Sequence, residues 1–307
     1  MTDDIGLWGV PLAILGGAIR VSTPFIFVSI GECLTERSGR INLGLEGTLV
    51  FGAMSGYAVA YHTGSPWLGT LAAAFSGLLF GLLHGWLCRL PRVNDIAIGI
   101  ALMIFGTGLA FLFGKPYVQP VAPDLPAIPL GFWSSLPQVQ AALNVNVLFL
   151  AGIVLAFATA WMLKNTRVGL TIRVTGDSAD AARALGIDVN RVRLWSTAAG
   201  GALAGVGGAY LSLYYPGSWN EGISSGQGLM AVALVIFARW NPVNCLYASL
   251  LFGGAGALGP ALQSVGITSG YYLFYAAPYV LTLGLLVATS SRSRAMPSAP
   301  GELSIVK

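Results

Sequence analysis

Two small sets of residues in this chain have types and spacings that point to chemistry or to a partner. The first lies in "GDSADAARALGIDVNRVR", residues 176–193, where three aspartates and three arginines crowd together in a chain that is only 9% charged. Asp177 suits a helix N-cap, Asp180 follows three residues later where a capping-box carboxylate would stand, and Gly186 suits the left-handed residue that ends a helix. The pattern predicts a helix of about eight residues, roughly 12 Å long. Such a helix is too polar to enter a bilayer and too short to persist alone. The run Asp180-Ala181-Ala182-x-x-x-Gly186 presents a small-residue surface that a groove on another protein would accept. The competing reading lays the same helix on lipid headgroups, with Arg183, Arg191 and Arg193 against anionic lipid.

The second set is Asn42 and Glu46 in "INLGLEG" and Asn94 and Asp95 in "PRVNDIAIG", each pair at the start of an apolar run. Ionisable residues at membrane depth are costly and face a cavity or a partner. These four would then line a polar path, exchanging hydrogen bonds with an uncharged, hydroxylated solute. Glu32, near the end of the first apolar run, is a lesser candidate for the same role. Alternatively, Glu46 and Asp95 sit at the membrane interface as helix-end carboxylates, favoured by the positive end of the helix dipole. The sequence leaves both readings open.

Residues for other chemistries are missing from the pattern. His62 and His84 stand alone, Cys33, Cys88 and Cys245 are far apart, and no grouping has metal-ligand or nucleophile–base spacing. Catalysis by this chain and a resident metal are therefore not expected. The one Gly-Lys step, Gly114-Lys115, runs into Pro116, so the phosphate-binding pattern G-x-x-x-x-G-K-[ST] is not there. No cofactor is expected in this chain; if ATP and its magnesium drive a process here, another subunit holds them.

The elements that must position these residues are membrane spans. Of the 307 residues, 55% are hydrophobic and 41 are glycine, too apolar a composition for one soluble core to hide. Apolar runs of roughly bilayer-crossing length fall near residues 9–33, 45–62, 67–88, 95–113, 147–163, 194–213, 227–238, 243–262 and 271–289. The expected fold is all-α, a polytopic transmembrane helical bundle of about 8–10 spans with a short cytoplasmic coupling helix. It forms one domain over residues 1–290, including the connection 164–193, followed by a short tail at 291–307. Arg20 and Pro24 interrupt the first run, which leaves one span or two open, and the seventh run is short. The glycines in "AAGGALAGVGGAY" (198–210) and "FGGAGALG" (252–259) suit close helix packing or, alternatively, a flexible gate.

Fourteen of the sixteen lysines and arginines fall in the connections 35–44, 89–94, 164–193 and 239–242 and in the tail. That asymmetry places the loop 164–193 and the C-terminus in the cytoplasm. It also accounts for the net charge of +4 without nucleic acid. On the other side, 114–146 carries six prolines and Trp133, and 214–226 reads "YYPGSWNEGISSG". These segments either receive a partner or simply close the structure between helices.

Asp180-Ala181-Ala182 followed by Gly186 resembles the EAA-type loop of ABC importer permeases, with aspartate in place of the usual glutamate. The wider run "NTRVGLTIRVTGDSADAARALGIDVNRVR" is similar to the coupling region of the ribose and branched-chain amino-acid class of these permeases. "LTERSGRINLGLEGTLVFGAMSGY", residues 34–57, is similar to the early signature of the nucleoside and simple-sugar branch. The resemblance implies that residues 177–186 dock into an ABC ATPase subunit that binds ATP. It further implies a second related permease subunit forming a heterodimeric pore, an extracytoplasmic solute-binding protein, and a lipid-embedded place in a bacterial cytoplasmic (inner) membrane. Nucleosides are the solutes it implies first, simple sugars next. The rival reading is an ion-coupled carrier that uses Glu46 or Asp95 as its ion site.

Overall fold

A computed structural model describes residues 9–264, 266, 273–274, 276–278, 280–281, 283–284 and 299–305. The expected ninth span, 271–289, and most of the tail 291–307 fall largely outside the described residues.

The first apolar run is one helix, α1 (Gly9–Arg37), in spite of Arg20 and Pro24. Proline removes a backbone donor, and the hydroxyls of Thr23 and Ser22 donate to the Ile19 carbonyl at 2.8 and 3.2 Å in the turn before it. Three further helices follow: α2 (Leu45–Thr63), α3 (Pro66–Leu87) and α4 (Asp95–Gly114). The proline-rich connection then folds as a cap over the far end. It holds a ribbon of β1 (Ala127–Pro129) and β2 (Asn144–Asn146), paired antiparallel with Ala127 opposite Asn146, and a short helix, α5 (Pro137–Ala142).

The chain returns through α6 (Val147–Asn165) to the end of the bundle where the basic residues collect. There it forms α7 (Arg167–Asp177) and α8 (Ala179–Ala184) before re-entering as α9 (Val189–Leu213). The last well-described helices are α10 (Gln227–Phe237) and α11 (Pro242–Ser264). Among the described residues five helices, α1, α3, α4, α6 and α11, are long and apolar enough to cross a membrane. Large apolar side chains point outward on α3 (Leu71, Phe75) and α4 (Ile104, Leu112), as a lipid-facing surface requires.

At the centre, α9 packs against α1, α2 and α3. Between helices in lipid there is no hydrophobic drive, so stability comes from close backbone approach. The glycines of α9 supply it. A Cβ on Gly205 would stand 2.0 Å from the Ala73 carbonyl oxygen, and one on Gly201 would stand 2.3 Å from that of Gly77. Gly253 in α11 meets the Ala18 carbonyl in the same way, at 2.7 Å. These positions are packing contacts, and any larger side chain there would force helices apart.

The seventh run does not lengthen into its flanks. α10 has 11 residues, about 16 Å, half of what a crossing needs. The irregular stretch 214–226 supplies the rest of the depth. Non-helical backbone at such depth persists only where it is buried in protein or lines a cavity, and this segment does both.

Candidate functional site

The segment at the basic end is more structured than its sequence suggests. α7 is capped by Thr166, whose hydroxyl accepts from Gly169 N at 3.1 Å, and its Gly176 lies against the Arg37 carbonyl at the end of α1. α8 then has six residues. Its cap is Ser178, which accepts from Ala181 N at 3.2 Å in extended backbone (φ −157°, ψ 111°). This corrects the assignment of Asp177 as the cap. Asp177 is still the last residue of α7, so the chain takes the extended turn that a cap needs one residue later. Asp180 does not close a capping box either; it pairs with Arg183 at 2.7 Å in the open.

The other end of α8 follows the sequence. Gly186 is left-handed (φ 77°), and the N–H groups of Gly186 and Ile187 donate to the carbonyls of Arg183 and Ala182 at 2.9 and 3.0 Å. This is the paired bonding that ends a helix at glycine. Ala179 and Ala182 turn inward and cluster with Val189, Val174 and Ile187. Asp180, Ala181, Arg183 and Ala184 face out, and Leu185 is 71% exposed. Half of the small-residue surface therefore serves the chain's own packing. The outer face is short, polar at two positions, and ends in a leucine that nothing covers in this chain.

A contact that sequence reasoning missed braces this helix. Glu302, in the turn Gly301–Ile305, accepts from Ala179 N at 2.8 Å and from Arg193 Nη2 at 2.9 Å. Arg193 also donates from Nε to the Ser38 carbonyl at 3.1 Å. Partial burial pushes the Glu302 carboxyl up, but the Ala179 bond and the Arg193 guanidinium, with Arg183 further off, outweigh it and hold the group below its ordinary value. Ala299 and Leu303 pack on the apolar cluster of α1, α6, α10 and α11. The sequence clue was Glu302 itself, the one acidic residue after Glu221.

The four polar residues expected along a path do not converge on one cavity. Asn94 is the cap of α4, its side-chain oxygen accepting from Ile96 N and Ala97 N at 2.8 and 3.2 Å. Asp95 pairs with Arg40, which also donates to the Cys88 carbonyl at 2.5 Å. The Asn42 side chain accepts from Gly44 N at 2.9 Å, while the Asn42 backbone N–H donates to Glu32 Oε1 at 2.8 Å. Glu32 is fully buried.

Glu46 is placed differently. Backbone contact between Gly47 and Met103 puts the start of α2 eight residues into α4, about 12 Å beyond Asp95. At that depth its carboxylate accepts from Ser224 Oγ (2.5 Å), Gly226 N (3.0 Å) and Gly228 N (2.6 Å). It thus pins the irregular segment and the start of α10 in place. A cavity of about 570 Å³ opens beside it, lined also by Thr107, Glu221 and Ser225.

A larger cavity, about 900 Å³, lies between α1, α5, residues 215–227 and α11. Its polar lining comes from Arg20, Gln138, Tyr215, Ser225, Gln227 and Ser264. Of these, sequence reasoning noticed only Arg20, and only as an interruption. The signal was the polar string "NEGISSGQG" wedged between two apolar runs. Among the described residues no group of histidine, cysteine and carboxylate side chains is arranged to hold a metal.

Comparison with known proteins agrees with this architecture. The family described as "Branched-chain amino acid transport system / permease component" matches residues 14–289. A putative glucose ABC transporter permease protein of Haloferax volcanii is 32% identical, over 94% of this chain and 88% of its own. A nucleoside ABC transporter permease protein of Lactococcus lactis is 31% identical and a guanosine ABC transporter permease protein of Bacillus subtilis 29%, each over 94% of this chain and 95% of its own. The chain is a transport subunit, not an enzyme, and it belongs to the family of branched-chain amino acid transport system permease components.

Proposed function

We propose that this chain is a pore-forming permease subunit of an ATP-driven importer whose solute is a nucleoside, with a simple sugar as the second reading. The observation that carries the proposal is α8: a capped helix anchored by its buried alanines and Glu302, offering Asp180, Ala181, Arg183 and Leu185 outward at the basic end. A helix held this firmly and left uncovered on one face suits a groove on a partner. That partner is an ABC ATPase subunit, which binds ATP and magnesium. Basic residues near span ends are retained in the cytoplasm, so the basic end and the C-terminus face the cytoplasm, and the membrane is the bacterial inner membrane.

Two permease proteins of Lactococcus lactis, both named for nucleosides, match this chain. This supports a pore built from this chain and a related second permease. The proline-rich cap faces a solute-binding protein on the other side. ATP binding would draw the ATPases together, move α8 with α7, and rock the spans between two accessible states. The nucleoside reading rests on the names of the Lactococcus lactis and Bacillus subtilis relatives, the sugar reading on that of the Haloferax volcanii relative.

The test is to purify the tagged chain from native membranes in mild detergent, alongside a Leu185→Asp variant. The parent should retain an ATPase and a second permease in stoichiometric amount. Leu185→Asp should lose the ATPase at least about tenfold, as burial of an unpaired charge predicts, while eluting as a folded chain. A parent that purifies alone and moves solute in liposomes with an ion gradient would overturn the proposal in favour of the ion-coupled carrier.

A further inference from the structure

We infer that the larger cavity, between α1, α5 and the irregular segment 214–226, is where the passing solute is held, and that it selects a neutral, polyhydroxylated ring through Gln227 as acceptor and Arg20 as donor. The inference deepens the importer reading and rests on it.

Three observations carry it. The first is an unfilled acceptor: Gln227 lines the cavity, and its side-chain oxygen is shielded from solvent with no hydrogen-bond partner among the described residues. A buried carbonyl left unpaired is costly, so a group that donates to it is expected there at some stage of the cycle. The second is a donor set. Arg20 bonds the Ala141 carbonyl through Nη2 at 2.6 Å. A guanidinium has five N–H groups in a planar fork, so donors remain for the cavity. Tyr215 adds a hydroxyl that both gives and accepts, and Ser225, whose proton goes to the Gly222 carbonyl at 3.0 Å, adds one that can accept.

The third is place. Ser225 lines both this cavity and the one beside Glu46. It is left-handed (φ 46°), at the break where irregular backbone meets α10. Broken helices at mid-depth are where transporters build their solute sites. The four residues expected from sequence hold the chain together, whereas Arg20 and Gln227 have bonding capacity to spare.

The lining also narrows the solute. Arg20 is its one formal charge among the described residues, and no carboxylate answers it, so a cation is disfavoured. Leu12, Val21 and Pro260 give an apolar flank for the face of a ring. A ring bearing adjacent hydroxyls satisfies an amide acceptor and a guanidinium donor together. The sugar of a nucleoside and a free hexose share this chemistry.

The complete importer, purified with its partners and placed in liposomes, gives the test. Gln227→Leu and Arg20→Met should each cut maximal solute uptake about tenfold, the effect of one lost buried hydrogen bond, with the ATPase still co-purifying. Gln227→Asn, which keeps the carbonyl on a shorter stem, should recover part of the rate. Cys33, Cys88 and Cys245 are all buried, so Ser225→Cys provides an accessible thiol. Its reaction with a thiosulfonate reagent should slow at least about twofold, as half-saturation or more of the cavity would cause, when adenosine, ribose or glucose is present at millimolar concentration. Protection by adenosine alone assigns a nucleoside; protection by glucose or ribose alone assigns a sugar.

Uptake by Gln227→Leu within twofold of the parent, or an unprotected Ser225→Cys, would overturn the inference while leaving the importer reading intact. Should the parent recover no ATPase, that reading fails first. The cavity is then still judged by protection of Ser225→Cys in the purified chain.

Discussion

Glu46 and Asp95 look alike in the sequence. Each stands in the first turn of a helix, within four residues of an asparagine. The structure separates them. Asp95 lies at the basic end, close to its own helix cap, and is answered by a cation, Arg40. Glu46 lies about 12 Å deeper and is answered by one hydroxyl and two backbone N–H groups from a segment some 180 residues away. At a membrane surface a carboxylate has water and cations to hand. At depth it needs fixed donors, and the start of a half-helix, with its N–H groups unbonded to a preceding turn, is a ready source. Depth, more than residue type, decides what a carboxylate does in this bundle.

That contrast is broken most easily at Glu46. Glu46→Ala would leave Ser224 Oγ and two buried N–H groups unpaired, at about 1–3 kcal/mol for each donor, and would free the segment that borders both cavities. We expect the largest loss here, roughly 3 kcal/mol or more, read as a lower thermal midpoint of the detergent-purified chain. Asp95→Ala should cost less, about 1–2 kcal/mol, because Arg40 keeps its bond to the Cys88 carbonyl and both side chains have some exposure. A double-mutant cycle with Arg40→Met should return a coupling of about 1 kcal/mol. Equal losses at the two carboxylates would remove the distinction between them.

The same contrast explains what the sequence could and could not tell. Most of the spans and Gly186 were legible because bilayer length and left-handed backbone are local properties, read from composition and one residue type. The continuity of α1 through Pro24 was not, since the residues from Ser22 to Glu36 are buried among other helices, and that packing cannot be read from one proline. Ser178 displaced Asp177 as cap because α7, which no reading foresaw, extends one residue into the expected turn. The partner segment of Glu46 and the polar wall formed with Gln227 come from contacts across most of the chain. No spacing rule reaches them.

Glu302 extends the comparison to a third carboxylate, one outside the spans. Like Glu46 it accepts from the backbone at the start of a helix, the Ala179 N–H of α8, and like Asp95 it is paired with an arginine. Its carboxyl is pushed up by partial burial, but these partners outweigh that and hold it below its ordinary value. A group whose value is lowered on folding contributes stability that is present at neutral pH and is lost as pH falls through the lowered value. The brace on α8 should therefore be intact at neutral pH and release only at pH below the ordinary carboxylate range. Exchange of the Ala179 amide, followed by mass spectrometry and corrected for the intrinsic rate, should show protection falling severalfold there. Glu302→Gln, which keeps an acceptor but not the charge, should flatten that pH dependence while retaining part of the protection at pH 7. The effect is the smallest of the three because Glu302→Gln keeps an acceptor for Ala179 and Arg193 and removes only the charge of a partly exposed pair, about 0–1 kcal/mol. If Glu302→Gln were instead as damaging as Glu46→Ala, depth would not be the variable that sets the role of a carboxylate.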